Sequence, residues 1–153
     1  MRFVLVHGGF HAAWCWERTI GELARLGHEA VAVDLPGHGA RVEDPLTAWT
    51  IPERRDAIVE VLRPGDVLVG HSGGGFDATV AADAVVDKVG HIVYLAAVLP
   101  REGRTYPEAM AMRGVASHTD ATTASTKPSA TTVRAACIPK RRLVRSLTRK
   151  ATG

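Results

Sequence analysis

The sequence is poor in cysteine and in aromatic residues, and it contains no long hydrophobic run. The two cysteines, Cys15 and Cys137, match neither a metal-binding spacing nor a disulfide framework, so we expect no metal site and no disulfide. No apolar stretch approaches the roughly 18 residues that a membrane-spanning helix requires, so we expect no membrane partner. The apolar run at residues 3–6 is too short for the core of a signal peptide, which predicts a cytoplasmic protein.

Charge is distributed unevenly along the 153 residues. Residues 1–100 hold 8 Lys and Arg against 13 Asp and Glu, a net charge of −5. Residues 101–153 hold 11 against 3, a net charge of +8. Clustered cations bind phosphates in a salt-dependent manner. Because no aromatic residue follows Tyr106 and no binding motif is recognised, we expect no specific nucleic-acid partner.

Four short apolar runs in the first hundred residues have the pattern of buried strands. They are rich in β-branched residues and continuous rather than alternating, which is typical of parallel strands covered by helices on both faces. The runs lie at residues 3–6, 30–33, 67–69 and 92–95. Helical patterns separate them, so the sequence predicts an α/β fold, mostly parallel, with right-handed crossovers.

The three intervals between these runs show helix signals. The first is an apolar face at Trp16, Ile20, Leu23 and Leu26, followed by Gly27 at the expected helix end. The second opens with a capping box from Thr50 to Glu53 and stops at Pro64-Gly65. The third is the apolar stripe of Phe76, Val80, Ala84 and Val85.

The pattern of strands and helices fades after Tyr106. Large aliphatic residues become too rare to offset the entropy of ordering the chain. We therefore predict one folded unit over residues 1–110 and a low-complexity basic tail over residues 111–153. The tail is expected to be mainly disordered, with room for a short basic helix near residues 140–150.

Gly70-His71-Ser72-Gly73-Gly74 matches the pattern Gly-x-Ser-x-Gly between a predicted strand and a predicted helix. In that context the pattern predicts a nucleophile elbow, a sharp turn that exposes a serine hydroxyl above the sheet. The positive end of the following helix would favour an oxyanion at Ser72. A tight glycine turn with an incidental serine is the alternative.

His7-Gly8-Gly9-Phe10 closes the first predicted strand, where a second oxyanion-stabilising loop is expected. Acyl transfer needs two backbone donors aimed at the developing negative charge. The candidates are the N–H groups of Gly9 and Gly73. Substrate-pocket candidates are Gly8, Phe10 and His71. We interpret His7 as a loop-orienting or internally hydrogen-bonded histidine and not as a catalytic base.

Together these motifs resemble the α/β-hydrolase superfamily, and within it the esterase and hydroxynitrile lyase branch that includes plant methylesterases and small bacterial carboxylesterases. The residues that carry the resemblance are residues 6–11 with Trp14, residues 26–28, 34–39 and 70–74, and residues 94–97. The similarity covers about residues 2–110 and implies a partial α/β-hydrolase fold. It also implies cofactor-free hydrolysis of small esters through a Ser-His-Asp triad.

The acid and histidine of that triad find no match in the sequence. Asp34 precedes Ser72, whereas the resemblance implies the order serine, acid, histidine, and His38 would lie in a loop away from the base position. His91 begins a predicted strand, and His118 and Asp120 lie in the tail in the wrong order. We therefore expect a truncated or frameshifted chain. We also expect an exposed sheet edge at residues 92–95 that could mediate oligomerisation.

Three functions stay open at this stage. The leading one is a carboxylesterase with Ser72 as nucleophile, which is weakly active or inactive without its acid and histidine. The second is a hydroxynitrile lyase, although the lyases resembled here usually carry a hydroxyl residue at the position of Gly8. The third is a non-catalytic protein that binds a small molecule.

Overall fold

The computed structural model describes residues 1–99 and a further strand at residues 135–139. The elements in chain order are β1 (Arg2–Val6), α1 (Glu17–Arg25), β2 (Glu29–Val33), α2 (Ile51–Val61), β3 (Asp66–His71), α3 (Gly74–Ala84), β4 (Val89–Leu95) and β5 (Ala135–Pro139). Short 3-10 turns lie at Ala13–Trp16, Gly39–Arg41 and Leu46–Ala48. The four strands and three helices predicted within residues 1–99 are confirmed.

The strands form one sheet in the order β2-β1-β3-β4-β5. The first four are parallel, and β1 pairs with β2 on one side and β3 on the other. Because the carboxyl ends of parallel strands lie on the same side of a sheet, the turns that follow β1 and β3 are neighbours. This arrangement brings the segment after Val6 close to Ser72.

Both faces of the sheet are buried, which explains the continuous apolar runs. On β1, Val4 and Val6 pack in the core under α2 and α3, together with Ile58 and Leu68. Leu5 points to the opposite face, where Trp16 packs against it. The alternation along β1 therefore fills two cores, and the predicted α/β class is confirmed.

The helix ends follow the predicted signals with one exception. Gly27, just after α1, has a positive φ of 77°, the left-handed conformation of a helix C′ residue. Thr50 is the N-cap of α2, but its side chain makes no capping hydrogen bond. The predicted capping box is therefore wrong, and Pro52 in the first turn, with its fixed φ, supplies a different reason for the helix to begin here.

Strand β5 changes the expected edge of the sheet. It pairs antiparallel with β4 in a register that joins Leu95 to Ala135 and His91 to Pro139. The prediction of an exposed edge at β4 is therefore wrong, and so is the prediction of disorder where it includes residues 135–139. The other predictions for residues 100–134 and 140–153 lie outside the described residues. No helix in the described part of the chain is long and apolar enough to cross a membrane.

Candidate active site

Ser72 lies at the junction of β3 and α3 with a φ of +52°, the left-handed region that non-glycine residues rarely adopt. Its carbonyl oxygen accepts hydrogen bonds from Val98 N–H at 2.8 Å and from Gly75 N–H at 3.2 Å. Its own N–H donates to the Leu95 carbonyl at 3.4 Å. The surrounding backbone thus holds Ser72 in a strained turn, as the elbow pattern predicts.

The loop after β1 packs directly on this turn. A Cβ atom added to Gly8 would lie 2.7 Å from Ser72 Cβ and 3.3 Å from Ser72 Oγ. Gly8 must therefore lack a side chain for β1 and the serine turn to approach this closely. The substrate-pocket candidate Gly8 is thus in contact with Ser72.

The two candidate oxyanion donors border the same cavity. Gly9 and Gly73 both line a cavity of about 320 Å³, and Gly9 also lines a neighbouring cavity of about 510 Å³. Gly73 is the N-cap of α3, so its N–H lies at the positive end of that helix. Ser72 lies between the end of β3 and Gly73, so the predicted nucleophile directly precedes one of the two candidate donors in the chain.

His7 is fully buried, and both of its ring nitrogens have hydrogen-bond partners. Nδ1 lies 2.7 Å from the Gly8 carbonyl, which can only accept, and Leu35 N–H donates to Nε2 at 3.3 Å. These contacts define a neutral ring with its proton on Nδ1. Burial lowers the pKa of His7, which favours the neutral form. His7 therefore orients the Gly8–Gly9 peptide and is not available as a base.

The lowered pKa of His7 predicts a pH-dependent stability. The unfolded chain takes up a proton on His7 near pH 6.5, about the ordinary histidine value, before the folded chain does. Stability from neutral His7 is therefore present above about that pH and is lost as the pH falls through the lowered folded value. We expect the urea-unfolding free energy of wild type to fall more between about pH 8 and pH 5 than that of His7→Asn. His91→Asn, at an exposed histidine, is the matched control, and equal slopes for wild type and His7→Asn would contradict the prediction.

The other two substrate-pocket candidates, Phe10 and His71, have different surroundings. Phe10 is fully exposed, has a φ of +62°, and lines the larger cavity together with His11 and Trp14. The His71 ring instead packs edge-on against Trp16 and His11, each with ring centroids 6.2 Å apart. Phe10 is thus placed to contact a ligand, whereas the His71 ring packs against two other aromatic rings.

Asp34 and His38 both have structural contacts. The Asp34 carboxylate accepts hydrogen bonds from Ala13 N–H at 2.7 Å and Ala40 N–H at 3.0 Å, and so connects two loops at the site. His38 Nδ1 lies 3.0 Å from the Pro36 carbonyl. His38 also lines both cavities, which the sequence did not predict. The fold brings the loop that contains His38 close to the segment that follows β1.

Several cavity-lining residues were not identified from the sequence. They are Trp49, Ile51, Arg54, Phe76 and Asp77. A usable signal existed for Phe76 and Asp77, since they lie three and four residues after Gly73, about one helical turn along α3. No comparable signal existed for the residues of α2, because only tertiary packing brings that helix to the cavity.

No group of three or more His, Cys, Asp or Glu side chains that could hold a metal ion occurs in residues 1–99. The polar groups at the cavity are instead backbone N–H groups, histidine rings and the Arg54–Asp77 ion pair. Such a set can bind and polarise a small polar ligand.

A family model described as the alpha/beta hydrolase family matches residues 3–150 of this chain. The chain therefore belongs to the α/β-hydrolase family, as the resemblance of its motifs implied.

The relatives that match include esterases and methylesterases of plants. The chain is 39% identical over 108 residues to esterase PIR7B of Oryza sativa subsp. japonica, which covers 67% of this chain and 40% of that protein. It is 36% identical over 111 residues to methylesterase 18 of Arabidopsis thaliana, covering 69% of this chain and 42% of that protein. The crystal structure of a methylesterase from Arabidopsis matches with a TM-score of 0.63 and 32% identity, over 68% of this chain and 46% of that chain. The chain thus spans about two-fifths of the length of these curated relatives.

Proposed function

We propose that Ser72 is the nucleophile of an esterase site that cleaves small esters through an acyl-enzyme. The observation that carries the proposal is the strained φ of +52° at Ser72 between β3 and α3. A strand–turn–helix junction of this kind exposes the hydroxyl of a nucleophile. The esterase and methylesterase relatives support the substrate class.

The oxyanion donors in this proposal are the N–H groups of Gly9 and Gly73. Ser72 Oγ attacks the ester carbonyl carbon, and the negative charge on the carbonyl oxygen is stabilised by the two N–H groups. The C–O bond to the alcohol then breaks, and the alcohol leaves with a proton. Water hydrolyses the acyl group from Ser72. The reaction requires no cofactor.

The base that removes the Ser72 proton determines the rate. Among residues 1–99, no histidine is hydrogen-bonded to the Ser72 hydroxyl, and His7 is committed to Gly8 and Leu35. His91 lies near the start of β4, whereas Ser72 lies beside the other end of this strand. A serine hydroxyl without an adjacent base is a weak nucleophile, so residues 1–99 alone would support only slow turnover.

The contact between Gly8 and Ser72 disfavours a lyase. The lyases that the sequence resembles usually carry a hydroxyl residue at this position. A Cβ at position 8 would lie 2.7 Å from Ser72 Cβ, so no such side chain fits without a shift of the serine turn. Ester hydrolysis is therefore the preferred reaction.

Hydrolysis of p-nitrophenyl acetate by wild type and Ser72→Ala tests the proposal. We expect wild type to be about tenfold faster or more, and we expect mass spectrometry to find an acetyl group on Ser72. Cys15→Ser is the control for attack by a thiol. Burial raises the pKa of Cys15, so the control should match wild type. Equal rates for wild type and Ser72→Ala would contradict the proposal, and saturable ligand binding in both would then favour a binding protein.

A further inference from the structure

The cavity that Gly9 and Gly73 share has a charged wall. Arg54 on α2 and Asp77 on α3 both line it. Arg54 Nε donates to Asp77 Oδ1 at 2.9 Å, and Nη2 donates to Oδ2 at 2.8 Å. The contact is therefore bidentate and uses both carboxylate oxygens.

The position of Asp77 creates an electrostatic conflict with an oxyanion. Asp77 lies four residues after Gly73 on α3, about one helical turn of roughly 5.4 Å. Its carboxylate is buried, with 5% of the side chain exposed. A negative charge this close and this poorly screened repels a negative oxygen that is bound to the Gly73 N–H.

We propose that Arg54 is a positioning residue that keeps the oxyanion hole electropositive by neutralising Asp77. The inference rests on the proposed function, because it takes Gly9 and Gly73 as the donors. Arg54 binds both oxygens of the carboxylate and so compensates its charge. Its charge also reaches the oxyanion loop, where it contributes to the lowered pKa of His7.

Stability alone does not explain this pair. Replacing a buried ion pair by well-packed apolar residues is often neutral or stabilising, so a role confined to joining α2 and α3 does not require charge. A role at the oxyanion hole does require a charged pair. The two roles differ in one measurable property, because only the second makes the protein discriminate between an anionic and a neutral ligand of the same shape.

The experiment compares benzoate with benzamide in titrations of the ¹⁵N-labelled full chain at about pH 8. The Gly9 and Gly73 amide resonances report binding at the oxyanion hole. Benzoate places a negative oxygen there, whereas benzamide places a neutral carbonyl. Neither ligand requires a nucleophile or a base.

Three variants are expected to change the affinity for benzoate in different directions. Arg54→Met leaves Asp77 uncompensated and should weaken benzoate binding by about a hundredfold, as expected for unit charges one helical turn apart at an effective dielectric of about 20. Asp77→Asn should strengthen it. The double variant Arg54→Met/Asp77→Asn should return it close to the wild-type value. Benzamide affinity should change by less than about twofold throughout.

Arg55→Met is the matched control. Arg55 is the next residue on α2 and pairs with Asp56 at 2.7 Å, but this pair is on the exposed side of the helix. Its replacement should change neither affinity, because solvent screens an exposed pair.

Two results would overturn the inference. One is an equal loss of benzoate and benzamide affinity in Arg54→Met, and the other is no gain for benzoate in Asp77→Asn. If Arg54→Met fails to fold, Asp77→Asn and the double variant decide the question. Ser72→Ala separates the two proposals, since charge discrimination by this variant supports the role of Arg54 even where wild type shows no esterase activity. Absence of benzoate shifts at Gly9 and Gly73 in wild type would count against both donors.

Discussion

Gly74→Ala is expected to lower the free energy of unfolding by about 3 kcal/mol or more, because the new methyl group would overlap backbone that has little freedom to move. A Cβ at position 74 would lie 2.3 Å from the His7 carbonyl oxygen and 2.8 Å from the Val6 carbonyl oxygen. Val6 ends β1, which is paired on both sides within the sheet, and His7 follows it directly. The clash would push the start of α3 away from the segment that joins β1 to Gly8.

Gly21→Ala is the matched control for this prediction. Gly21 lies within α1, and nothing is within 4 Å of a Cβ added there. The same substitution should therefore raise stability by about 0.5–1 kcal/mol, since glycine is unfavourable inside a helix. Urea unfolding followed by circular dichroism measures both changes. A similar shift in the two variants would contradict the close approach of α3 to β1.

Asp66→Ala should cost about 3–5 kcal/mol, as expected when one partner of a buried ion pair is removed. Asp66 is the first residue of β3, at the opposite end of this strand from Ser72, and is 2% exposed. Its Oδ2 accepts hydrogen bonds from Arg2 Nη1 and, at 2.8 Å, from Arg63 N–H. Arg2 keeps one carboxylate partner, Glu29 at 2.9 Å, so we expect the lower half of the range.

Asp56→Ala provides the comparison for Asp66. Asp56 pairs with Arg55, but its side chain is 62% exposed. Removing it should change the unfolding free energy by less than about 0.5 kcal/mol. Urea midpoints measured at neutral pH test both variants. A loss at Asp66 no larger than at Asp56 would show that the buried network at the start of β3 contributes little.

The strands and the serine turn were predictable because their signals are local. A parallel strand is buried on both faces, so residues 3–6 and 67–69 are apolar without interruption. The turn at Ser72 needs small neighbours where backbones meet, and that need is visible as the glycines around it.

The capping box and the sheet edge were predicted incorrectly for a related reason. Thr50 and Glu53 have the right spacing for a capping box, but spacing does not determine which rotamer the threonine adopts. Residues 135–139 form a short apolar run, but polar and basic residues on both sides of it hid the strand from the sequence analysis. They form β5 because the free hydrogen-bonding edge of β4 can accept another strand of almost any sequence.

The sequence by itself determined the α/β class and the order of strands and helices along the chain, and it identified Ser72 as the candidate nucleophile and Gly9 and Gly73 as candidate donors. Only the tertiary structure decided that Gly8 contacts Ser72, that His38 lines the cavities and that Arg54 neutralises Asp77 beside Gly73. The physical reason is distance along the chain. Periodicity and turn chemistry act over a few residues, whereas Arg54 and Asp77 are 23 residues apart and meet only when α2 and α3 pack on the same face of the sheet.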